Sequence, residues 1–248
     1  MAKVRAAILA AGRGVRMGGE RPKTLLDLDG RGSMLGHILT GLRDAGVEDL
    51  MVITGFKPAE VQDFVSQNWG EATYVLNARY ASWGNFHSVR IAVDQSPGFD
   101  LMIVNSDIVV SPSVFKRVID KEGDLILAVQ RKQRLDQEDM RVQLNGDRVL
   151  ALGKELKMAR SHGEYCGVSM LRHQAQRLYA DVATDWEWRS NTHGYYEDVY
   201  NQITGTLDAR ASEVAAGEYA EVDTPEDVAS AVKVIERHLS AATADASA

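Results

Sequence analysis

Along the first half of the chain, short apolar runs alternate with amphipathic stretches. Residues 4–9 form a near-continuous apolar run, the pattern of a strand buried on both faces. A polar, glycine-bearing stretch follows from Ala10 to about Asp29. Ser33 can then cap a helix reaching Ala45, in which Leu35, Ile38, Leu39 and Leu42 fall at helical spacing and Gly46 supplies the stop. DLMVITG (49–55) predicts a second buried strand. Pro58 opens an amphipathic helix running to about Gln67. ATYVLN (72–77) predicts a third strand, FHSVRIAVDQ (86–95) a helix, and DLMIVNSDIVV (100–110) a fourth strand; Ser111-Pro112 starts another helix.

Strand and helix in strict alternation imply a Rossmann-like, mostly parallel α/β sheet with helices on both faces. The second half is less regular. Strands are predicted at 124–130, 140–146, 148–156 and 164–172, some antiparallel, with Asn145-Gly146 as a turn. They form a smaller mixed β region beside the main sheet. Helices are expected near 173–183, 195–204 and 225–239. One domain over 1–240 and a small, polar, disordered tail over 241–248 complete the expectation.

In sheets of this kind ligands sit at the carboxyl ends of the strands. Those ends carry residues 12–23, 54–57, 77–85 and 105–107, all polar stretches that one crevice can gather. Composition narrows the ligand. The chain has 248 residues, 45% of them hydrophobic, a formal net charge of −7 and one cysteine, Cys166. The acidic balance argues against general nucleic-acid or membrane-surface binding. No run approaches the ~18 apolar residues of a membrane span, and the apolar start is too short for a signal peptide. With a single cysteine, a reducing cytoplasm is the expected compartment. A homodimer is no more than the general prior for a soluble enzyme.

The loop after the first strand reads LAAGRGVRMGGERPKTLLDLDG. Gly12, Gly14 and Gly18 give G-x-G-x-x-x-G, which misses the dinucleotide pattern, and the second strand ends without the acidic residue that would take a ribose. No G-K-[ST] is present, so a P-loop is excluded. A plain glycine turn would account for the glycines but not for Arg13, Arg16, Arg21 and Lys23 in the same loop. The motif resembles L-A-A-G-x-G-x-R-[ML]…P-K-x-L of the nucleotidyltransferases that make sugar and alcohol diphosphonucleotides. NARYASWGNFHSVRIA (77–92), VNSDIVV (104–110), YCGVSML (165–171) and YAEVDTPEDVASA (219–231) resemble further segments of that family. They are most similar to the bacterial choline-phosphate cytidylyltransferases.

The resemblance implies a nucleotide-diphospho-sugar transferase fold and transfer of a cytidylyl group from CTP to a small phosphorylated alcohol or phosphonate, phosphocholine-like, with release of pyrophosphate. It implies that Leu9, Ala10, Ala11, Gly12, Arg13 and Gly14 wrap the nucleotide phosphates, with Arg16 and Lys23 as the catalytic basic pair. Backbone N–H groups freed by glycine make an anion-binding nest. Asn77, Asn85 and Ser88 are expected to line the nucleotide pocket. Asp107 and Asp223 are expected to share one Mg²⁺ that bridges the α-phosphate and the incoming phosphate. Asp107 ends an apolar strand, where an unpartnered charge is costly; Asp223 has a competing reading as a helix cap, a task Thr224 could perform equally well. Trp83, Tyr165, Tyr195, Glu197 and Asp198 are expected at the acceptor, the aromatics offering faces to a cation.

Two departures bear on the acceptor. The loop lacks the longer insert of many sugar-1-phosphate enzymes, and Asn105 stands where the choline enzymes tend to have an acidic residue. Inositol-1-phosphate, an aminoethylphosphonate or a sugar-1-phosphate, with CTP or UTP, are alternative acceptors on the same fold. A molybdenum-cofactor guanylyltransferase usually reads LAGGxSxRMGxxK at this loop, unlike the present chain. A non-catalytic nucleotide sensor is the reading from another class.

Overall fold

A computed structural model of the chain describes residues 3–14 and 19–245. The strands are β1 (Lys3–Ala10), β2 (Asp49–Thr54), β3 (Thr73–Leu76), β4 (Phe99–Asn105), β5 (Ile108–Val110), β6 (Leu125–Arg131), β7 (Arg141–Asn145), β8 (Arg148–Leu152), β9 (Gly163–Leu171), β10 (Ala209–Val214) and β11 (Tyr219–Glu221). The helices are α1 (Met34–Asp44), α2 (Pro58–Asn68), α3 (Phe86–Asp94), α4 (Pro112–Asp120), α5 (His173–Trp188), α6 (Tyr196–Ile203) and α7 (Val228–Asp245).

Nine strands form one sheet in the order β3-β2-β1-β4-β9-β6-β10-β8-β7, while β5 and β11 pair antiparallel beside it. β3, β2, β1 and β4 are mutually parallel, and so are β6 and β10. β9 runs against both β4 and β6, and the β7–β8 hairpin turns at the predicted Asn145-Gly146. The sheet is thus mostly parallel in strand direction, with β8 and β9 reversed.

Alternation along β1 divides the core. Ala6, Ile8 and Ala10 pack with Leu35 and Leu39 of α1, Val61 and Val65 of α2 and Phe115 of α4. Ala7 faces the other layer, with Phe86 and Val89 of α3, Tyr179 of α5 and Tyr196 and Tyr200 of α6. Successive strand residues point to opposite faces, so an apolar run of this kind serves two helical layers at once. A smaller cluster under α7 joins Leu28, Met34, Val109, Val222, Val234 and Ile235. No helix among the described residues is long and apolar enough to cross a membrane.

Several sequence expectations need correction. The single strand expected over 100–110 is two: the chain leaves the large sheet at Ser106, whose Oγ donates to Leu9 O at 2.8 Å, and β5 pairs with β11 instead. The strand expected over 148–156 stops at Leu152, followed by Gly153 at φ +150°, a backbone that L side chains rarely adopt. β10 was not predicted; ARASEV has no β-branched run, yet it lies between β6 and β8. α5 runs five residues beyond 183 to Trp188. α7 continues to Asp245, into the segment expected as a disordered tail; its alanines are strong helix formers.

Candidate active site

The carboxyl ends of β1 and β4 and the loop behind β3 surround a cleft of about 260 Å³; residues 54–57 behind β2, expected at the same crevice, do not line it. Leu9, Ala10, Ala11, Gly12 and Gly14 line one wall. Gly14 sits at φ +59°, and a Cβ there would come within 2.5 Å of Lys23 Cβ. Glycine is therefore needed twice over at this position, for the backbone conformation and to let Lys23 pass. Arg13 does not line the cleft; it is exposed, its guanidinium 5.7 Å from the centre of the Phe56 ring. Arg16 lies outside the described residues.

Asn77, Trp83, Asn85 and Ser88 form the opposite wall. Asn77 is buried where β3 ends; its Nδ2 donates to Ser88 Oγ at 2.9 Å and its Oδ1 accepts from Arg79 N at 2.9 Å. The turn role and the pocket role therefore coincide in one side chain. Asn85 Oδ1 accepts from Tyr196 N at 2.9 Å, and Gly84 N donates to Thr192 O at 2.7 Å, tying this wall to the segment before α6. Trp83 belongs to this cleft, not to an acceptor cage, and Arg79 covers its ring at 3.9 Å from the centre. Thr24, which was not anticipated, also lines the cleft, with its buried hydroxyl lacking a hydrogen-bond partner.

Three carboxylates meet at the floor. Asp107 follows β4, Glu221 ends β11 and Asp223 lies two residues further; one oxygen from each falls within 4.8 Å of the others. Lys23 Nζ donates to Asp107 Oδ2 at 3.3 Å and to Asp223 Oδ1 at 2.5 Å. Burial would lower the Lys23 pKa, but the two aspartates more than offset this and hold it above the ordinary lysine value. Glu221 is pushed up to about 8 by desolvation and by the charges of Asp107 and Asp223. Thr224, not Asp223, caps the turn leading into α7: Asp227 Oδ2 accepts from Thr224 N at 2.7 Å, and Asp227 N donates to Thr224 O at 3.1 Å. Asp223 is thereby left to the floor. Glu221 was missed by sequence reasoning, although E-V-D places two acids at i and i+2, on one side of an extended segment.

A second cavity of about 250 Å³ opens beside the first. Tyr165 of β9, Tyr195 and Glu197 line it. Asp198 does not; its Oδ2 accepts from Tyr195 N at 2.9 Å and closes a capping box on α6. Glu138, Lys154, Glu164 and Tyr219 were not anticipated and join the lining. Glu164 is paired with Lys132, and Glu138 lies 3.2 Å from Lys154. Glu197 is 5% exposed and its Oε2 has no hydrogen-bond partner. Burial pushes its carboxyl up to about 8, with Asp198 and Asp107 adding to the effect. Tyr196 Oη ties the back of this cavity together, 2.9 Å from Asn105 Oδ1 and 3.1 Å from Tyr165 Oη. Asn85, Asn105 and Asp107 line both cavities.

This arrangement can hold a polyanion in the first cleft, a divalent cation on hard carboxylate oxygens, and a second small molecule alongside. Residues 6–179 match the MobA-like NTP transferase domain. The bifunctional IPC transferase and DIPP synthase of Thermococcus kodakarensis is 31% identical over 159 residues, covering 63% of this chain and 35% of the relative. The CMP-5'-(3-aminopropyl)phosphonate synthase of Streptomyces rubellomurinus is 32% identical over 139 residues, covering 53% of this chain and 21% of the relative. The chain thus spans about a third or less of the length of these two relatives. The inositol-1-phosphate CTP transferase from T. maritima superposes with a TM-score of 0.79 at 20% identity, over 94% of this chain and 97% of that one. The CTP:phosphocholine cytidylyltransferase of Streptococcus pneumoniae gives 0.78 at 19% identity, over 94% and 99%.

Proposed function

The chain belongs to the MobA-like NTP transferase family, and we propose that it transfers a cytidylyl group from CTP to a small phosphorylated alcohol or phosphonate. The observation that carries this reading is the junction of the two cavities at Asn85, Asn105 and Asp107. A triphosphate in the first cleft and an acceptor in the second would meet at the carboxylate floor. Relatives and neighbours named for CTP, CMP-phosphonate, inositol phosphate and phosphocholine supply the choice of base and acceptor class.

In the reaction, an acceptor oxygen attacks the α-phosphorus of CTP, forming a new P–O bond. The bond from the α-phosphorus to the bridging oxygen breaks, and pyrophosphate leaves with that electron pair. The acceptor oxygen is already anionic at neutral pH, so no protein base is required. The work of the protein is positioning and charge neutralisation. The glycine wall brings backbone N–H groups to the phosphates. Lys23 offsets charge that builds on the leaving pyrophosphate. Asn77, Ser88 and Asn85 position the nucleoside. Asp107 and Asp223, with Glu221 beside them, have the hard-oxygen donor set and spacing that suit Mg²⁺. When bound, that ion supplies charge neutralisation at the phosphates.

The test is a pyrophosphate-release screen with Mg²⁺. It crosses CTP, UTP, GTP and ATP with phosphocholine, phosphoethanolamine, 2-aminoethylphosphonate, inositol-1-phosphate and glucose-1-phosphate. Release with CTP and an amino-alcohol phosphate, phosphonate or inositol phosphate is expected. Release only with UTP or GTP and the sugar phosphate would overturn the base and acceptor while keeping nucleotidyl transfer.

A further inference from the structure

The second cavity is built for a particular kind of head group. Its walls carry Glu138, Glu164, Glu197 and Glu221, with Lys154 as the one lysine in the lining. Glu138 faces Lys154, and Glu164 is satisfied by Lys132 from behind. Among the described residues, Glu197 has no basic partner, whereas Glu221 lies within the field of Lys23 and Lys154. Glu197 is the more telling, being 5% exposed, with Oε2 lacking any hydrogen-bond donor. A buried carboxylate oxygen without a donor is costly, and a ligand that brings N–H groups and positive charge relieves both deficits together.

A quaternary ammonium would bring the charge but not the donor. It has no N–H, and it is recognised by aromatic faces. The tryptophan best placed by sequence for such a cage, Trp83, lies in the other cleft under Arg79. Tyr165 meets Tyr196 edge to face, with hydroxyls 3.1 Å apart. Tyr165, Tyr195 and Tyr219 do line the cavity, but six carboxyl groups line it with them, so oxygen acceptors outnumber ring faces. A neutral polyol could donate hydrogen bonds but would bring no positive charge to Glu197, whose ionised form burial disfavours.

Resting on the transferase reading above, we propose that the acceptor is a short phosphate or phosphonate bearing a primary ammonium group, which Glu197 receives in this second cavity. The phosphorus end lies toward Asp107, at the junction with the nucleotide cleft, and the ammonium end lies toward Glu197. Glu197 is then the residue that sets acceptor choice.

The experiment measures kcat/KM for pyrophosphate release from CTP with 2-aminoethylphosphonate, phosphoethanolamine, phosphocholine and ethyl phosphate, whose alkyl end carries no charge. It uses the wild-type chain and Glu197→Gln. The wild type should favour one of the primary amines over phosphocholine and ethyl phosphate by at least ~100-fold, the scale for a site left with an unpaired buried polar group. Glu197→Gln should lower kcat/KM for that amine by a similar factor, mainly through the acceptor KM, and leave the CTP KM within about threefold. The variant is isosteric, and a thermal melt checks that it is folded. Equal or better turnover with phosphocholine would overturn the proposal and leave cytidylyl transfer standing. So would a Glu197→Gln variant that keeps the wild-type preference. Silence with all four would overturn the proposal, and silence also with inositol-1-phosphate and glucose-1-phosphate would overturn cytidylyl transfer.

Discussion

Replacing Lys23 with methionine separates two roles that one ammonium group performs. In this structure Nζ stands between Asp107 and Asp223, at 3.3 and 2.5 Å, as the cation nearest the carboxylate floor among the described residues. Lys23→Met keeps most of the side-chain volume and removes the charge. Removing one preorganised charge donor aimed at a developing anion costs about 10²–10³-fold in kcat, and kcat for pyrophosphate release should fall by that much. Binding of a divalent cation without nucleotide should move the other way. The lysine side chain is 13% exposed and the aspartates 32% and 41%. Solvent screening then limits each contact to about 1 kcal/mol. Releasing both aspartates therefore adds ~2 kcal/mol to cation binding, or about a 30-fold lower Kd. Titration calorimetry with Mn²⁺ and no nucleotide reads the second effect, and a coupled pyrophosphate assay reads the first. A variant with kcat within threefold of wild type would refute the charge-neutralising role. Weaker Mn²⁺ binding would refute the view that Lys23 and a metal compete for the same carboxylates.

Three further outcomes follow from the same geometry. Gly14→Ala should raise the CTP KM and lower stability by about 1–2 kcal/mol, because φ +59° is strained for alanine and the new methyl meets Lys23; thermal melts and initial rates check both. Gly84→Ala should raise the CTP and acceptor KM values together, since a Cβ there collides with Gly194 O and pries the two walls apart; a change confined to one substrate would count against a shared clasp. Glu197→Gln should be more stable than wild type at pH 8, by on the order of 3 kcal/mol, with the difference fading toward pH 4.5. The sign follows from a folded carboxyl raised to about 8: the unfolded chain ionises first, so wild-type stability is lost as pH rises between the two values. A pH-independent difference in unfolding free energy would show that Glu197 is not held neutral in the folded state.

The first half of the fold was legible because its strands are buried on both faces. Residues 6–9 and 50–53 are apolar without interruption, and Ser33, Pro58 and Gly46 mark helix ends by chemistry that acts locally; Ser33 Oγ does accept from Gly36 N at 3.2 Å. β10 was illegible for the opposite reason. Its ladder with β6 comes from a crossover late in the chain, and alanine, serine and glutamate carry no strand preference of their own. The break at Ser106-Asp107 was also hidden, because an apolar run reads as one strand until a partner on another sheet claims its second half.

The site divides along similar lines. Gly12, Gly14, Lys23 and Asp107 stand close to β1 or β4, so a motif fixes both their identity and their place. The second cavity is assembled from β9, β11, the start of α6 and the connection before β7, and no local spacing brings Glu138, Glu164 and Glu221 together. Sequence alone made Asp198 as good a candidate as Glu197, since adjacent acids at a helix start differ by only about 100° in direction. The capping box decides between them: Asp198 turns back to Tyr195 N, and Glu197 one position earlier is carried inward beneath Tyr196 and toward Asp107. A single hydrogen bond at the end of α6 thus determines which carboxylate is solvated and which enters the cavity unpaired. Asp198→Ala should for this reason weaken acceptor binding without removing any group that touches the acceptor.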